Sequence, residues 1–389
     1  MSAPAAASTS RERTAPLLGA VEALGDRLEA GAREAEELRT LPAPLVEALR
    51  AHELCWMKTP LGLGGSELDP LDLCDVLEAI ARRDASAAWT TMVANGSTGT
   101  MAGWLSDAGI AATFTDPARP PIFAGQLSPR GLAEPVEGGY RVTGRWSFSS
   151  GIRHADFVIG GCTQLGDPDA HRFVCVPVAE AKVHDTWHVA GLQGTGSDDF
   201  SLEGHFVPEA LTFDWATVTV RRGGPLFRQP KILFVGNELS PVAVGIATRA
   251  IEDLVAQAAG PARRAPDAVL ANRPSFQREL GRGATRLAAA RALYREVVAE
   301  SFAYGLEDRP APAGAIERIL GAHTYVVDVC AEVAWELFRF GGGRALSLSN
   351  GLQRHLRNLV AARQHVYVSD ENYEQAGQAL LSNGAPAAG

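Results

Sequence analysis

The chain has no surplus of basic charge. Lysine and arginine together number 36 against 45 aspartates and glutamates, a formal charge of −9, and no basic stripe interleaved with aromatics occurs. Nucleic acid is bound by clustered cations that displace counterions, so it is not an expected partner. Paired cysteines are missing too. Cys55, Cys74, Cys162, Cys175 and Cys330 are odd in number, far apart and without a C-x-x-C pair, which argues against a disulfide framework or a zinc site and fits a reducing cytoplasm. No apolar run approaches the roughly 20 residues that span a bilayer, and MSAPAAASTSRERT at the N-terminus has no hydrophobic signal core. Residues 1–13 read as a disordered leader, and neither a membrane nor a metal is an expected partner.

Signatures of several enzyme classes are absent as well. A nicotinamide-binding Rossmann unit needs G-x-G-x-x-G between a strand and a helix, where the helix N-terminus holds the pyrophosphate. Gly62–Gly65 and Gly194–Gly196 are glycine-rich but stand outside any such unit. NAD(P)H is therefore not bound through that fold, and reducing power must arrive another way. No G-x-x-x-x-G-K-[ST], H-E-x-x-H or G-x-S-x-G occurs. His184 and His188 are four apart, but in a β-type stretch that spacing makes no single metal-binding face.

What is present is a helical, β, helical order in 389 residues, enough for several packed subdomains. Residues 14–118 read as a helical domain: Leu17, Leu18, Val21, Leu24 and Leu28 share one face, Pro42 and Pro44 start a second helix, Leu71–Arg83 form a third, and Asp84 caps a fourth. Residues 119–225 carry short β-branched or aromatic runs such as Tyr140–Gly144, Trp146–Gly151, Phe157–Gly160, Phe173–Val176 and Phe200–Glu203. With the hairpin signal Glu137-Gly-Gly-Tyr140, they predict a small antiparallel barrel or sandwich. Residues 226–384 contain long helical segments at roughly 235–259, 275–305, 313–339 and 351–366, broken at Gly260-Pro261 and Pro310–Gly314, which predicts a four-helix bundle. The fold class is α+β and mostly helical.

Three places could carry chemistry. Gly341–Gly343 leave no side chain between backbone and a ligand, and a helix restarts after them through Leu352, Leu356, Leu359 and Val360. His365 stands eight residues past Arg357, about two helical turns, and can hold or take a proton near neutral pH; it can equally cap a helix C-terminus. Trp146–Gly151, WSFSSG, puts Ser147 and Ser149 on one face of a strand and Ser150 on the other. These hydroxyls suit a planar heterocycle or simply water. Arg273, ahead of Phe276 at a helix start, suits a phosphate or bulk solvent.

Gly139–Gly151 (GYRVTGRWSFSSG), Gly194–Phe200 (GTGSDDF) with Phe206–Glu209 (FVPE), and Gly341–His365, in this order and spacing, resemble the acyl-CoA dehydrogenase superfamily from about Leu17 to Leu381. That resemblance implies an N-terminal helical domain, a middle β-domain, a C-terminal four-helix bundle and a homotetramer. Fatty-acyl members place a catalytic glutamate eight residues past the arginine of an Arg-Asp pair, whereas this chain has Arg357-Asn358 and His365. A histidine there is similar to the flavin-dependent two-component monooxygenase branch of aromatic hydroxylases, dibenzothiophene S-oxygenase and amino-sugar N-oxygenases. The branch implies reduced FMN or FAD from a separate NAD(P)H:flavin reductase, O2 as co-substrate and a C4a-(hydro)peroxyflavin.

By position, the resemblance implies Ser149 or Ser150 near flavin N5 and O4, Trp187 shielding the ring, and Gln126 and Ser128 along it. Arg273 and Phe276 would meet its phosphate or adenine end, Gly342 and Gly343 would admit it, and His365 would serve as base or proton holder, with Ser149 as the N5-side donor. Several phenol hydroxylases carry a histidine where this chain has Asn95 and Ser97. The implied substrate is small and mostly apolar, such as a polycyclic natural product, lined from Trp89–Asn95. Two alternatives stand beside this: an acyl-CoA or acyl-carrier-protein dehydrogenase with Glu336 or Asp328 as relocated base, and a flavin-binding or assembly protein without chemistry.

Overall fold

Helix formation begins at Thr9. Its hydroxyl accepts the Glu12 amide at 3.2 Å while the Glu12 carboxylate accepts the Thr9 amide at 2.7 Å, a reciprocal capping box that starts α1 (Ser10–Ala23). In this computed structural model, which describes residues 8–259 and 269–383, the expected leader is thus helical from residue 10. Its remainder, residues 1–7, lies outside the described residues. A break at Leu24 separates α1 from α2 (Gly25–Leu38), and the left-handed Arg39 (φ 54°) ends α2 before Pro42 opens α3 (Ala43–Ala51). After α4 (Pro70–Arg83), the Asp84 carboxylate accepts the Ala87 amide at 2.6 Å and starts α5 (Ala85–Trp104), as its residue type predicts. Ser106 caps a short α6 (Asp107–Thr113) that periodicity did not reveal.

The chain divides into two compact units, within the described residues. One comprises Met1–Val76, Trp89–His188 and Gln193–Arg228; the other comprises Leu77–Ala88, Val189–Leu192 and Gln229–Gly389. The first holds a seven-stranded sheet of β1 (Phe123–Val136), β2 (Gly139–Trp146), β3 (Phe157–Gln164), β4 (Asp167–Pro177), β5 (Lys182–His184), β6 (Asp199–Pro208) and β7 (Thr212–Asp214), ordered β5-β6-β2-β1-β3-β4-β7. The β1–β2 hairpin closes over Glu137-Gly138, with Gly138 at φ 77° and Val136 paired to Gly139. One pairing departs from the antiparallel expectation: β3 crosses to the far side of β1 and runs parallel to it. Trp146 anchors the sheet. Its ring stacks on Phe200 at 4.8 Å and its N–H donates to Gly161 O at 2.7 Å. A Cβ at Gly144 or Gly160 would approach this indole within 3.0 Å, so glycine is required at both.

α7 (Pro225–Arg228) ends the first unit. In the second, α8 (Lys231–Gly236) leads into α9 (Leu239–Ala259), α10 (Pro274–Leu306), α11 (Ala315–Phe338) and α12 (Gly351–Ala362), the long helices of the expected bundle. The expected break at Gly260-Pro261 lies outside the described residues. A further helix, α13 (Glu371–Asn383), packs on α11 through Asn372 Nδ2 to Thr324 Oγ1 at 2.9 Å and Tyr373 OH to Asp328 Oδ2 at 3.0 Å. No described helix is long and apolar enough to cross a membrane.

Inside this unit a fully buried polar chain sets the helix register. Ser240 Oγ donates to His323 Nδ1 at 2.7 Å, His323 Nε2 donates to Asn237 Oδ1 at 3.2 Å, and the Asn237 amide reaches Ser301 Oγ and Gln229 Oε1 at 3.2 and 3.3 Å. Burial pushes the His323 pKa down to about 4 from an ordinary 6.5. The unfolded chain therefore binds this proton more readily, and stability present above pH 6.5 is lost as pH falls toward 4. The urea midpoint should drop across that interval. His323→Gln should lower the midpoint at pH 8 and remove about one proton's share of the slope. An identical slope in the variant would place the acid sensitivity elsewhere.

Candidate functional site

The strand ends sooner than alternation suggests. β2 stops at Trp146, and Ser147–Gly151 form a turn with two left-handed residues, Phe148 (φ 66°) and Gly151 (φ 76°). A β-type sequence hides such a turn because phenylalanine disfavours positive φ. Phe148 is also 66% exposed, its ring set edge-to-face on Trp187 with centroids 6.2 Å apart. Backbone bonds hold the turn: the Ser149 amide donates to Asp198 O at 3.2 Å and the Gly151 amide to Thr195 O at 2.8 Å.

The two adjacent serines then differ. Ser150 Oγ accepts the Trp89 indole N–H at 3.2 Å and lies 2.7 Å from Ser197 Oγ, which lies 2.7 Å from Thr195 Oγ1. Ser149 is fully buried, yet its hydroxyl has no hydrogen-bond partner in the chain. Such an orphan costs about 1–3 kcal/mol and marks a group left available to a ligand.

Trp187 is half-buried in the loop after β5. Its amide and that of Thr186 donate to Asp198 Oδ1 at 3.0 and 2.9 Å, and Arg153 Nε donates to Asp198 Oδ2 at 2.7 Å. Arg39 clasps Asp185 at 2.7 and 3.1 Å, and that hydrogen bonding holds the Asp185 carboxyl down at about 2. Gln126 and Ser128 sit where β1 shifts register; both are half-buried, and Gln126 Oε1 accepts the Ser128 amide at 3.2 Å. Trp89 is buried with its N–H on Ser150. Asn95 is fully buried: its amide donates to Leu54 O and Thr91 O at 2.8 Å each, and its oxygen accepts the Lys58 amide at 3.1 Å. From there Asn95 fixes the 54–58 loop.

In the second unit, α12 ends at Ala362, so His365 is not two turns along the helix of Arg357. Arg357 is committed to Gln353 Oε1 at 2.7 Å and to Ala190 O. His365 instead caps a following 3-10 turn, its Nδ1 accepting the Tyr367 amide at 3.3 Å, which leaves the ring proton on Nε2. The ring is half-buried by exposure, but surrounding protein pushes its pKa down to about 4. Arg273 is exposed as the N-cap of α10, while Phe276 is buried edge-on against Phe340 at 5.3 Å. Gln257 Nε2 holds Gly341 O at 3.0 Å; Gly342 is left-handed (φ 61°), and no atom lies within 4 Å of a Cβ built at Gly342 or Gly343. The carboxylates open to a dehydrogenase are engaged: Glu336 with Arg282 and Arg286, Asp328 with Arg363 and Tyr373.

Sequence reasoning missed Asp198, Arg39, Arg153 and the strained Phe148. Asp198 and Phe148 left a trace, inside GTGSDDF and WSFSSG.

Comparison with known proteins gives a consistent picture. Family models for the acyl-CoA dehydrogenase N-terminal domain and C-terminal domain match residues 18–108 and 238–370. The chain is 30% identical to an indole-3-acetate monooxygenase of Pseudomonas putida, covering 96% of this chain and 95% of the relative. It is 28% identical to the oxygenase component of an FADH(2)-dependent resorcinol hydroxylase from a Rhizobium species, over 94% of each. The solved structure of XiaF from a Streptomyces species, in complex with FADH2 and glycerol, superposes with a TM-score of 0.89 at 25% identity, over 98% of each chain.

Behind Ser150 and Gly151, a cavity of about 20 Å³ is bordered by Leu49, Cys55, Thr90, Thr91, Ile122 and His154. The Thr90 and Thr91 hydroxyls are buried there without partners. Thr91→Val, which removes a buried orphan, should therefore stabilise the protein by about 1–3 kcal/mol, whereas Thr98→Val, which removes an acceptor, should cost about 1–2 kcal/mol; the acceptor in question receives the Phe123 amide at 3.2 Å. Urea unfolding compares them. An equal loss in both variants would show that Thr91 is satisfied by an internal water.

Proposed function

Because the chain belongs to the acyl-CoA dehydrogenase family, in its flavin-dependent monooxygenase branch, we propose that it inserts one oxygen atom of O2 into a small aromatic substrate, using reduced FMN or FAD. The orphan hydroxyl of Ser149 supports this most directly: a buried, unpartnered group on a turn beside an aromatic side chain fits a heterocycle edge. When bound, the reduced flavin supplies the two electrons that let one oxygen atom enter the substrate while the other leaves as water.

The chain's own residues then have distinct tasks. Ser149 hydrogen-bonds the flavin edge, with Gln126 and Ser128 alongside. Trp187 and Phe148 cover it from water. Arg273, at the start of the 33-residue helix α10, meets a phosphate together with the first amides of that helix. Phe276 fixes that helix start by packing on Phe340, and Gly342 and Gly343 leave their turn open. His365 is neutral at physiological pH and carries its proton on Nε2. It acts first as a hydrogen-bond donor, and becomes a base only if Nδ1 releases the Tyr367 amide.

The indole-3-acetate and resorcinol relatives both act on aromatic rings by name, which favours an aromatic substrate, walled on one side by Trp89 and its helix. With no Rossmann motif in this chain, a separate NAD(P)H:flavin reductase supplies the reduced flavin. Trp335, Leu346 and Leu348 are 60%, 71% and 70% exposed, apolar side chains that burial against further copies of the chain in a homotetramer would cover.

A single-turnover experiment tests the function. Protein loaded anaerobically with reduced flavin is mixed with 18O2 and indole-3-acetate, indole or resorcinol, and a product carrying one labelled oxygen is expected. Anaerobic bleaching of bound oxidised flavin by an acyl thioester, with no labelled product, would replace this reading with a dehydrogenase. His365→Ala should lower labelled product by ~100-fold or more while flavin affinity stays within about threefold. Because the His365 pKa is about 4, wild-type turnover should be flat from about pH 6 to 8 and fall only toward pH 4. Unchanged turnover in the variant would remove His365 from the mechanism.

A further inference from the structure

We propose that Asp198 is the positioning residue that ties Trp187 to the Ser149 turn, and that flavin binding depends on this tie. The inference rests on the flavin-binding function proposed above.

One residue holds both partners. The Asp198 carbonyl accepts the Ser149 amide at 3.2 Å, while Oδ1 of the same residue accepts the amides of Thr186 and Trp187 at 2.9 and 3.0 Å. The Asp198 side chain is fully buried, and Arg153 Nε at 2.7 Å balances its charge through Oδ2. Arg153 continues to Asp185 at 3.0 Å, which Arg39 clasps from the end of α2. The loop at 185–188 lies outside helix and strand, and Asp185, Thr186 and His188 are exposed. Beside Oδ1, the Thr186 hydroxyl accepts the Asp199 amide at 2.9 Å and Arg39 Nη1 reaches the Trp187 carbonyl at 3.4 Å, but Asp198 is the residue that bonds both the Trp187 amide and the Ser149 turn. A carboxylate fits the place because one oxygen serves two amides while the other faces a guanidinium. Serine could not span both. Asparagine keeps the Oδ1 acceptor for the two amides but sets its NH2 against the Arg153 Nε–H, donor facing donor, so Arg153 must turn to Asp185 while the tie to the amides stays.

Hydrogen exchange and flavin affinity test this together. Exchange resolved to single amides in the wild-type 184–189 segment should show those of Thr186 and Trp187 protected at least about 100-fold over an unstructured chain, apart from the His188 amide, which bonds Thr186 O. Asp198→Ala should bring both to near the unstructured rate and weaken oxidised-flavin binding, followed by fluorescence, by about tenfold. Asp198→Asn should keep the protection and lie within about threefold of wild type in affinity. An Asp198→Ala protein that melts like wild type, keeps both amides protected and binds flavin within twofold would overturn the proposal. If Asp198→Ala does not fold, rapid exchange of both amides in the wild type overturns it equally. A wild type that binds neither flavin redox state removes the flavin function, and exchange alone then decides whether Asp198 holds the loop.

Discussion

The close packing around the Trp146 indole is the constraint on which the first unit depends. The ring is fully buried, stacked on Phe200 and bonded to Gly161 O, with Gly144 and Gly160 pressed against it. Four strands, β1, β2, β3 and β6, meet at this one side chain, so the point where β2 ends is fixed by volume rather than by strand propensity. The turn at Ser147–Gly151 starts from there. The segment entering β6, Thr195 to Asp199, meets the turn with the carbonyls of Thr195 and Asp198 and the hydroxyl of Ser197, and these hold the left-handed Phe148 that the sequence alone would disfavour.

Availability, more than residue type, separates functional from structural groups. Ser149 and Ser150 are chemically identical neighbours, but Trp89 and Ser197 engage Ser150 and leave Ser149. The same distinction applies to acids. Glu336 and Asp328 lie on α11 as any general base might, yet each is held by arginine. Asn95 reads as a pocket residue in sequence, and in the fold its side-chain amide donates to Leu54 O and Thr91 O.

In the second unit the governing effect is desolvation. His323 and His365 are both driven to about 4 by burial, but their settings differ. His323 is locked on both nitrogens between Ser240 and Asn237, so its proton has no route to a substrate. His365 sits at a turn after α12, with Nδ1 on a weak 3.3 Å backbone contact. That local geometry places its ring proton on Nε2.

The sequence by itself determined the order of helical, β and helical segments, because hydrophobic period and turn residues are local properties. It also determined the Asp84 cap, the Glu137-Gly138 hairpin and the family, whose motifs are contiguous. Even the absence of a nicotinamide motif could be read directly. Tertiary structure alone decided the rest. The parallel β1–β3 pairing, the packing of α13 on α11, and the separation of Arg357 from His365 by a helix end all depend on the tertiary structure. So does the Asp198 hub, since a carboxylate's role is set by which amides and guanidinium the fold brings to its two oxygens, and no spacing in the sequence records that.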